Sequence, residues 1–189
     1  MANDEEIARL AASVRRGSIV AAAGCGKTEQ IARAVGISTQ RRLILTHTHA
    51  GVDALTRRLK KLCISADKYR IDTIAGWCLR FAAAFPRRSG IVATMPTTPP
   101  DWDAIYLASA RLLDSGAVDG VLLVSYGGCF VDEYQDCTLQ QHQVISRLAN
   151  LLPTCVFGDP LQAIFDFRDQ HPVDWESDVF PTFVRSAEL

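Results

Sequence analysis

The chain has 189 residues, of which 48% are hydrophobic, and these values suit one globular domain with a substantial core. Its formal net charge is −1, so nucleic acid would have to be bound by a local patch rather than by an overall positive field. No apolar run approaches the roughly 20 residues that cross a bilayer, and the polar, acidic N-terminus has no secretory leader. The six cysteines form no CxxC pair. Together these features predict a cytoplasmic protein with reduced, mostly buried thiols and no membrane partner.

The first half of the chain alternates short apolar segments with amphipathic ones. Asn3 and Glu6 form a capping-box pattern that predicts the start of a first helix, and Gly17 suits its end. Further elements follow from the apolar runs and the helical periodicity. In chain order they are a strand at residues 18–23, a helix at 27–35, a strand at 42–46, a helix at 50–62, an extended segment at 69–72 and a helix at 73–85.

The second half continues this alternation after a break at residues 86–100, which predict a surface connection. Four more segments have a recognisable pattern: a helix at 101–113, a strand at 129–132, a helix at 139–151 and a strand at 154–157. Residues 118–126 fit either a helix or a strand, and residues 168–189 predict no terminal element. Strands that alternate with helices predict an α/β domain with a mainly parallel sheet and helices on both faces.

The sequence AAAGCGKT at residues 21–28 lies between the first predicted strand and the next helix. Backbone N–H groups and the helix dipole favour an anion at such a position. Gly24 and Gly26 allow unusual backbone dihedrals, Lys27 is expected to contact the β and γ phosphates, and Thr28 to ligate Mg²⁺. A glycine-rich turn without a ligand is the alternative. The expected nucleotide-binding residues of this P-loop NTPase pattern are Ala23, Gly24, Cys25, Gly26, Lys27, Thr28 and Glu29.

The sequence VDEYQD at residues 131–136 follows a short apolar segment, where a buried strand would reach its carboxyl end. Ligands of open parallel sheets bind at that edge. We expect Asp132 to hold the Mg²⁺, normally through water, and Glu133 to polarise the attacking water. A solvated acidic turn is the alternative interpretation.

Five segments, in this order, resemble the motifs of UvrD/Rep-like superfamily 1 helicases. They are AAAGCGKT at 21–28, LTHTHAGVDALTRRL at 45–59, TIAGWCLRF at 73–81, VDEYQD at 131–136 and VFGDPLQAIFDFR at 156–168. The last segment is the most specific, because P-loop proteins in general do not share it. The resemblance implies a RecA-like first motor domain that hydrolyses ATP with Mg²⁺ and couples this reaction to single-stranded DNA.

The resemblance also implies roles for individual residues. Gln162 would sense the γ-phosphate and take part in hydrolysis with Lys27 and Glu133, although it could also be an ordinary turn glutamine. Asp159 would contribute to the nucleotide site and help couple hydrolysis to DNA contacts. The glutamine and aspartate that end VDEYQD would link the acidic motif to the glutamine motif.

Contacts with DNA are expected at the ends of the second and third strands, at His47, Thr48, Thr73 and Trp77. The family has a base-stacking phenylalanine where this chain has His47, and imidazole and indole rings can both stack on bases. Two alternatives remain open: His47 as a polar loop residue and Trp77 as a buried core residue. The basic residues between 57 and 61 spread around a helix, which favours a solvated surface.

Three departures from the family pattern limit these expectations. No glutamine precedes Gln30, so the sequence does not favour ATP over GTP. Residues 86–126 are expected to form a reduced accessory insertion. The residues after 168 are too few for a second sheet, so we expect one RecA-like ATP-binding domain over residues 1–189 without the second motor domain.

Arginines from a second motor domain or a partner protein would then be needed for efficient phosphoryl transfer, and the chain alone would be a poor helicase. The alternative function is a nucleotide-switched interaction module that works with a partner protein. A stand-alone P-loop phosphotransferase is a further alternative, which the acidic and glutamine motifs disfavour.

Overall fold

One parallel sheet organises the protein, which is described by a computed structural model over residues 4–22, 24–91, 100–162 and 172–189. Its strands are β1 (Arg16–Val20), β2 (Arg42–Thr46), β3 (Tyr69–Thr73), β4 (Gly128–Val131), β5 (Thr154–Gly158) and β6 (Val184–Glu188). The strand order is β3-β2-β4-β5-β1-β6, and all five neighbouring pairs are parallel. The predicted α/β architecture is confirmed, and it is consistent with a RecA-like P-loop fold.

Helices cover both faces of the sheet. They are α1 (Asp4–Ser13), α2 (Lys27–Ile37), α3 (His49–Lys61), α4 (Ile74–Ala84), α5 (Pro86–Ser89), α6 (Trp102–Asp114), α7 (Asp119–Ser125), α8 (Leu139–Leu151) and α9 (Phe180–Thr182). Because side chains alternate along a strand, Ile44 joins the core formed with α1, α2 and α3. Its neighbours Leu43 and Leu45 join the opposite core, formed with α4, α6 and α8. Strands that are buried on both faces explain the apolar runs of the sequence.

The C-terminal part of the chain corrects two predictions. No terminal element was expected, yet β6 pairs with β1 at the edge of the sheet, after a π-helix at Trp175–Val179. Gly17 does not end a helix; it lies in β1 opposite Val184. A Cβ at Gly17 would lie 2.5 Å from the Oγ of Ser186, so glycine allows the close approach of these strands. The predicted cap at Asn3 lies outside the described residues.

The described part of the segment between α4 and β4 is mostly helical. Residues 118–126, which fitted either a helix or a strand, contain helix α7. Helix α6 packs against α4 and α8 and contributes Ile105, Leu112 and Leu113 to the larger core. The interpretation of residues 86–126 as a reduced accessory insertion stays a prediction.

The state of the cysteines and the presence of membrane-spanning helices can be compared with the sequence-based expectations. Cys78, Cys129, Cys137 and Cys155 are buried free thiols, whereas Cys25 and Cys63 are exposed. Among the helices that the structure describes, none combines the length and apolar character needed to cross a membrane.

Candidate nucleotide-binding site

Three motifs meet at the carboxyl ends of neighbouring strands. The phosphate loop follows β1, VDEYQD starts in the last residue of β4, and GDPLQ starts in the last residue of β5. Since β5 lies between β4 and β1, the three segments are adjacent along one edge of the sheet. This is the edge at which open parallel sheets bind ligands.

The phosphate loop adopts a backbone that glycine favours. Gly24 and Gly26 have φ angles of 77° and 86°, in the left-handed region. A Cβ at either position would meet nothing within 4 Å, so glycine is required here by conformation rather than by space. Helix α2 starts at Lys27, and Gly26 provides no side-chain cap, which leaves first-turn N–H groups able to bind an anion.

For the other candidate residues of the loop, the structure gives less information about nucleotide binding. Cys25 is exposed, and Thr28 is partly buried in the first turn of α2. The carboxylate of Glu29 lies 2.9 Å from both Arg33 Nε and Arg58 Nη1, so it pairs with basic side chains. Ala23 lies outside the described residues. The nucleotide contacts of these residues stay predictions.

Lys27 connects the phosphate loop to the acidic motif. Its side chain is only 6% exposed. The Nζ atom donates to the carbonyl of Ala21 at 3.3 Å and lies 3.5 Å from Oε2 of Glu133. The lysine that was expected to bind phosphate therefore sits beside the carboxylate that was expected to polarise water.

The two carboxylates of VDEYQD have different surroundings. Asp132 is 3% exposed, and its Oδ1 accepts from the backbone N–H of Glu133 at 3.0 Å. Burial, together with the neighbouring charge of Glu133, raises the pKa of Asp132 to about 7. Glu133 is half-buried and has a φ of 53°, a left-handed conformation that is uncommon for non-glycine residues and that clusters at active sites and switch regions. Cys63, in the turn after α3, is the other described non-glycine residue with a positive φ.

A magnesium ion fits the chemistry of this edge. A buried carboxylate whose charged form is disfavoured is stabilised by a nearby cation. No group of three or more His, Cys, Asp or Glu side chains in the described part of the chain could hold a metal. Mg²⁺ does not need such a group, because it keeps several waters and uses one or two carboxylates with substrate phosphates.

Gln135 joins the acidic motif to β5. Its Nε2 donates to Oε2 of Glu133 at 2.8 Å, and its Oε1 accepts from the backbone N–H of Asp159 at 3.1 Å. The predicted link between the acidic and glutamine motifs is thereby confirmed for this glutamine. Its neighbour Asp136 is exposed at the surface, but partial desolvation by the surrounding atoms and the charge of Glu133 raise the pKa of its carboxyl group.

Gly158 is a site residue that the sequence interpretation missed. A Cβ at this position would lie 2.8 Å from Oε1 of Gln135 and 2.5 Å from the ring of Trp175. Its carbonyl accepts from the N–H of Ala21 at 3.0 Å, where the phosphate loop begins. The signal was available, because this glycine opens GDPLQ directly after an apolar run.

Asp159 and Gln162 form a tight turn at the end of β5. Asp159 is 5% exposed, and its Oδ1 accepts from the N–H of Leu161 at 3.0 Å. The N–H of Gln162 donates to the carbonyl of Asp159 at 3.0 Å. The structure thus brings Gln162 to the same sheet edge as Lys27 and Glu133. Residues 163–168 of this motif lie outside the described part of the chain.

The two threonines proposed to contact DNA cap helices at the same edge. The Oγ1 of Thr48 accepts from the N–H of Gly51 at 3.0 Å and starts α3. The Oγ1 of Thr73 accepts from the N–H of Gly76 at 3.0 Å and starts α4. Each hydroxyl therefore has a structural function, whatever it contacts in nucleic acid.

The two rings proposed to contact DNA lie further inside. Nε2 of His47 is 3.3 Å from Sγ of Cys137, and burial lowers the pKa of His47 to about 4, with the charge of Glu133 opposing the change. Trp77 is 7% exposed and stacks on Phe81 with ring centroids 4.6 Å apart. The buried-core alternative therefore describes Trp77 in this structure, and DNA contacts of both rings stay predictions.

Comparison with known proteins adds one match. The family model of the UvrD/REP helicase N-terminal domain matches residues 100–174, which include VDEYQD and GDPLQ but not the phosphate loop. Curated proteins gave no match to the chain. The family match confirms the resemblance to a UvrD-like helicase motor domain. With the parallel sheet, it supports a helicase-like ATP-binding domain.

Proposed function

We propose that the chain acts as a UvrD-like motor domain. It would bind ATP with Mg²⁺ and couple ATP hydrolysis to contact with single-stranded DNA. The observation that carries the proposal is the chain of contacts from Lys27 through Glu133 and Gln135 to Asp159. It joins the phosphate loop, the acidic motif and the glutamine motif within one site.

The metal and the nucleotide would be held by the residues at the carboxyl edge. Bound Mg-ATP supplies the phosphoryl group to be transferred, and its metal neutralises charge that develops on the phosphate oxygens. Thr28 and Asp132 would hold the metal, and N–H groups of residues 24–28 would bind the phosphates. Gln162 and Asp159 would contact the γ-phosphate end.

Glu133 would act as the residue that orients the attacking water and accepts its proton. Its carboxylate now has two partners, Lys27 and Gln135. Both partners contact Oε2 of Glu133, which leaves Oε1 as the oxygen that would accept from water. The hydrogen bond from Gln135 to Oε2 would persist when Lys27 turns to phosphate oxygens. The amide of Gln135 would thus hold the base in position during hydrolysis.

Coupling to nucleic acid would run along the same sheet edge. His47 and Thr48 follow β2, Thr73 ends β3, and Trp77 lies one turn into α4. His47 contacts Cys137, the residue that directly follows VDEYQD. A DNA strand bound at this edge would therefore influence the acidic motif through His47. Arginines for efficient turnover would come from a second motor domain or a partner protein.

The first prediction separates nucleotide binding from hydrolysis. We expect Lys27→Ala to abolish most binding of Mg-ATP, because it removes the charge at the phosphates. Glu133→Gln should keep binding and lower turnover about a hundredfold or more, since an amide cannot accept the proton. Binding is measured with a fluorescent ATP analogue and turnover by phosphate release, and Lys60→Ala on the exposed side of α3 is the matched control. Wild-type turnover in Glu133→Gln would contradict the assigned base.

The second candidate function is a nucleotide-switched interaction module. It is favoured by the same contacts. If a phosphate took the place of the Glu133 carboxylate beside Lys27, Glu133 and its hydrogen-bonded partner Gln135 would shift, and this shift would reach Asp159 at the end of β5. The two candidates differ when single-stranded DNA is added to the chain with Mg-ATP. Stimulated phosphate release supports the motor, whereas tight binding without turnover under any condition supports the switch. Vigorous unwinding by the chain alone would contradict its expected dependence on added arginines.

A further inference from the structure

A polar groove lies between the edge strand β3 and helix α4, away from the nucleotide site. Its volume is about 260 Å³, and three arginines, one aspartate and three aromatic side chains line it. Strand β3 occupies one end of the sheet, and β1, which carries the phosphate loop, lies four strands away. At about 4.8 Å per strand, the groove and the phosphate loop are separated by about 19 Å across the sheet.

The groove concentrates positive charge in a chain whose formal net charge is −1. Arg41, Arg70 and Arg80 line the groove with a single carboxylate, that of Asp72, which leaves an excess of two positive charges. Nε of Arg41 donates to the carbonyl of Tyr69 at 3.3 Å. Oδ2 of Asp72 contacts Arg80 and lies 3.7 Å from Nη2 of Arg70. Like charges held this close favour a further anion between them.

The two central arginines are both fixed and accessible. The side chains of Arg70 and Arg80 are 50% and 55% exposed, so their guanidinium groups can reach a ligand. The carboxylate of Asp72 pairs with both arginines through Oδ2. Its Oδ1 accepts from the N–H of Thr73 at 2.8 Å. A Cβ at Gly76 would lie 3.2 Å from Nη2 of Arg80, so this glycine gives Arg80 room to fold back along α4.

We propose that this groove binds a phosphodiester group of a single-stranded nucleic acid. Planar guanidinium groups bind phosphate oxygens in pairs, and two or three of them around one cavity define a site for that group. Asp72 immediately precedes Thr73. A nucleic-acid strand that contacts Thr73 at the carboxyl end of β3 would therefore be next to the groove. The inference rests on the proposed coupling to nucleic acid and extends it from Trp77, which also lines the groove, to the arginines beside it.

The test uses the whole chain and a fluorescein-labelled oligothymidylate, with affinity measured by anisotropy between about 50 and 200 mM salt. We expect the double variant Arg70→Gln, Arg80→Gln to lose about tenfold or more in affinity at low salt. The slope of log affinity against log salt should decrease by about 1 to 2, because each arginine removed leaves one phosphate without its cation. The matched control is Arg57→Gln, an exposed arginine on α3 across the sheet, which should change affinity less than about twofold.

Further measurements keep the result interpretable. Unchanged Mg-ATP binding shows that the double variant is folded, and Arg70→Gln alone should give a smaller loss in the same direction. Wild-type affinity and slope in these variants would overturn the groove and leave the proposed function intact. A wild-type chain that binds Mg-ATP but no oligothymidylate would overturn the coupling to nucleic acid and the groove together. If oligoglutamate displaces the oligonucleotide from the groove at lower charge concentration, the ligand is an acidic peptide and the phosphodiester assignment is wrong.

Discussion

Gln135 shows how one amide can hold two motifs in register. Its N–H₂ group donates to Glu133 and its carbonyl accepts from Asp159, so both ends of the side chain are used. A carboxylate at this position could not donate, and a hydrocarbon could do neither. The residue type therefore follows from its two partners.

The second prediction concerns this bridge. We expect Gln135→Ala to leave Mg-ATP binding nearly unchanged and to lower turnover about tenfold, because Glu133 loses the donor that positions it. Since the buried N–H of Asp159 loses its acceptor, stability should also fall by about 1–3 kcal/mol. Phosphate release and urea unfolding measure the two effects. Gln140→Ala, on the exposed side of α8, should change neither.

The third prediction concerns pH and His47. The pKa of His47 falls from 6.5 to about 4 in the folded protein, so the unfolded chain binds the additional proton as pH decreases between these values. The stability associated with neutral His47 is complete above about pH 7, and about 1–2 kcal/mol of it should be lost by about pH 5.

Urea unfolding of the wild type and of His47→Gln at both pH values isolates this effect from other titrating groups. The variant should lose less stability than the wild type on acidification. His49→Gln, at an exposed position two residues further on, should behave like the wild type. Equal acid sensitivity of all three proteins would show that His47 is not responsible.

At the scale of single elements, α8 connects the acidic motif to the helical face of the domain. Thr138 and Gln141 form a capping box at its start, and the Nε2 of Gln141 also donates to the hydroxyl of Tyr106 in α6 at 2.8 Å. The predicted bounds of this helix are the observed ones, because both its cap and its periodicity are local signals.

The fourth prediction tests that cap. Thr138→Ala should lower stability by about 1 kcal/mol, because the first turn of α8 loses its side-chain acceptor. The comparison is Thr56→Ala in the interior of α3, whose hydroxyl bonds to the carbonyl of Val52 and should contribute less than about 0.5 kcal/mol. Urea unfolding measures both. Equal effects would mean that the cap does not stabilise the start of α8.

Strand β6 shows why some elements could not be predicted. Its sequence VRSAE is mostly polar, and its residues are exposed or partly buried, so period-two alternation is weak. What places it is contact with β1, from the other end of the chain, through the space that Gly17 leaves. Helix α7 was ambiguous for a related reason: Val121, Leu123 and Val124 are exposed, so its apolar residues do not mark one face.

At the scale of the whole molecule, motif order was sufficient to predict the α/β fold and which segments meet at the carboxyl edge of its sheet. It could not show that Lys27 lies beside Glu133, because that contact depends on how β5 separates β1 from β4. Motif order could not show the inward position of His47 either. That position depends on contact with the buried thiol of Cys137, which is 90 residues further along the chain.

The fifth prediction concerns the domain as one cooperative unit. Because the proposed ligand contacts three segments of one sheet, saturating Mg-ATP should stabilise the whole domain, by about 2.7 kcal/mol at a hundredfold excess over Kd. Removing Mg²⁺ with EDTA should abolish most of this stabilisation, and Asp132→Asn should respond weakly even with the metal present. Thermal unfolding at fixed ATP concentration is the measurement. Equal stabilisation with and without Mg²⁺ would remove the metal from the proposal.

Gly158 has a consequence for how the chain tolerates mutation. Any side chain there would push against Gln135 and Trp175, while the phosphate loop after β1 would keep its own backbone. If the proposed function holds, a single added methyl group at Gly158 is therefore expected to impair the response to loss of the terminal phosphate more than it impairs nucleotide binding.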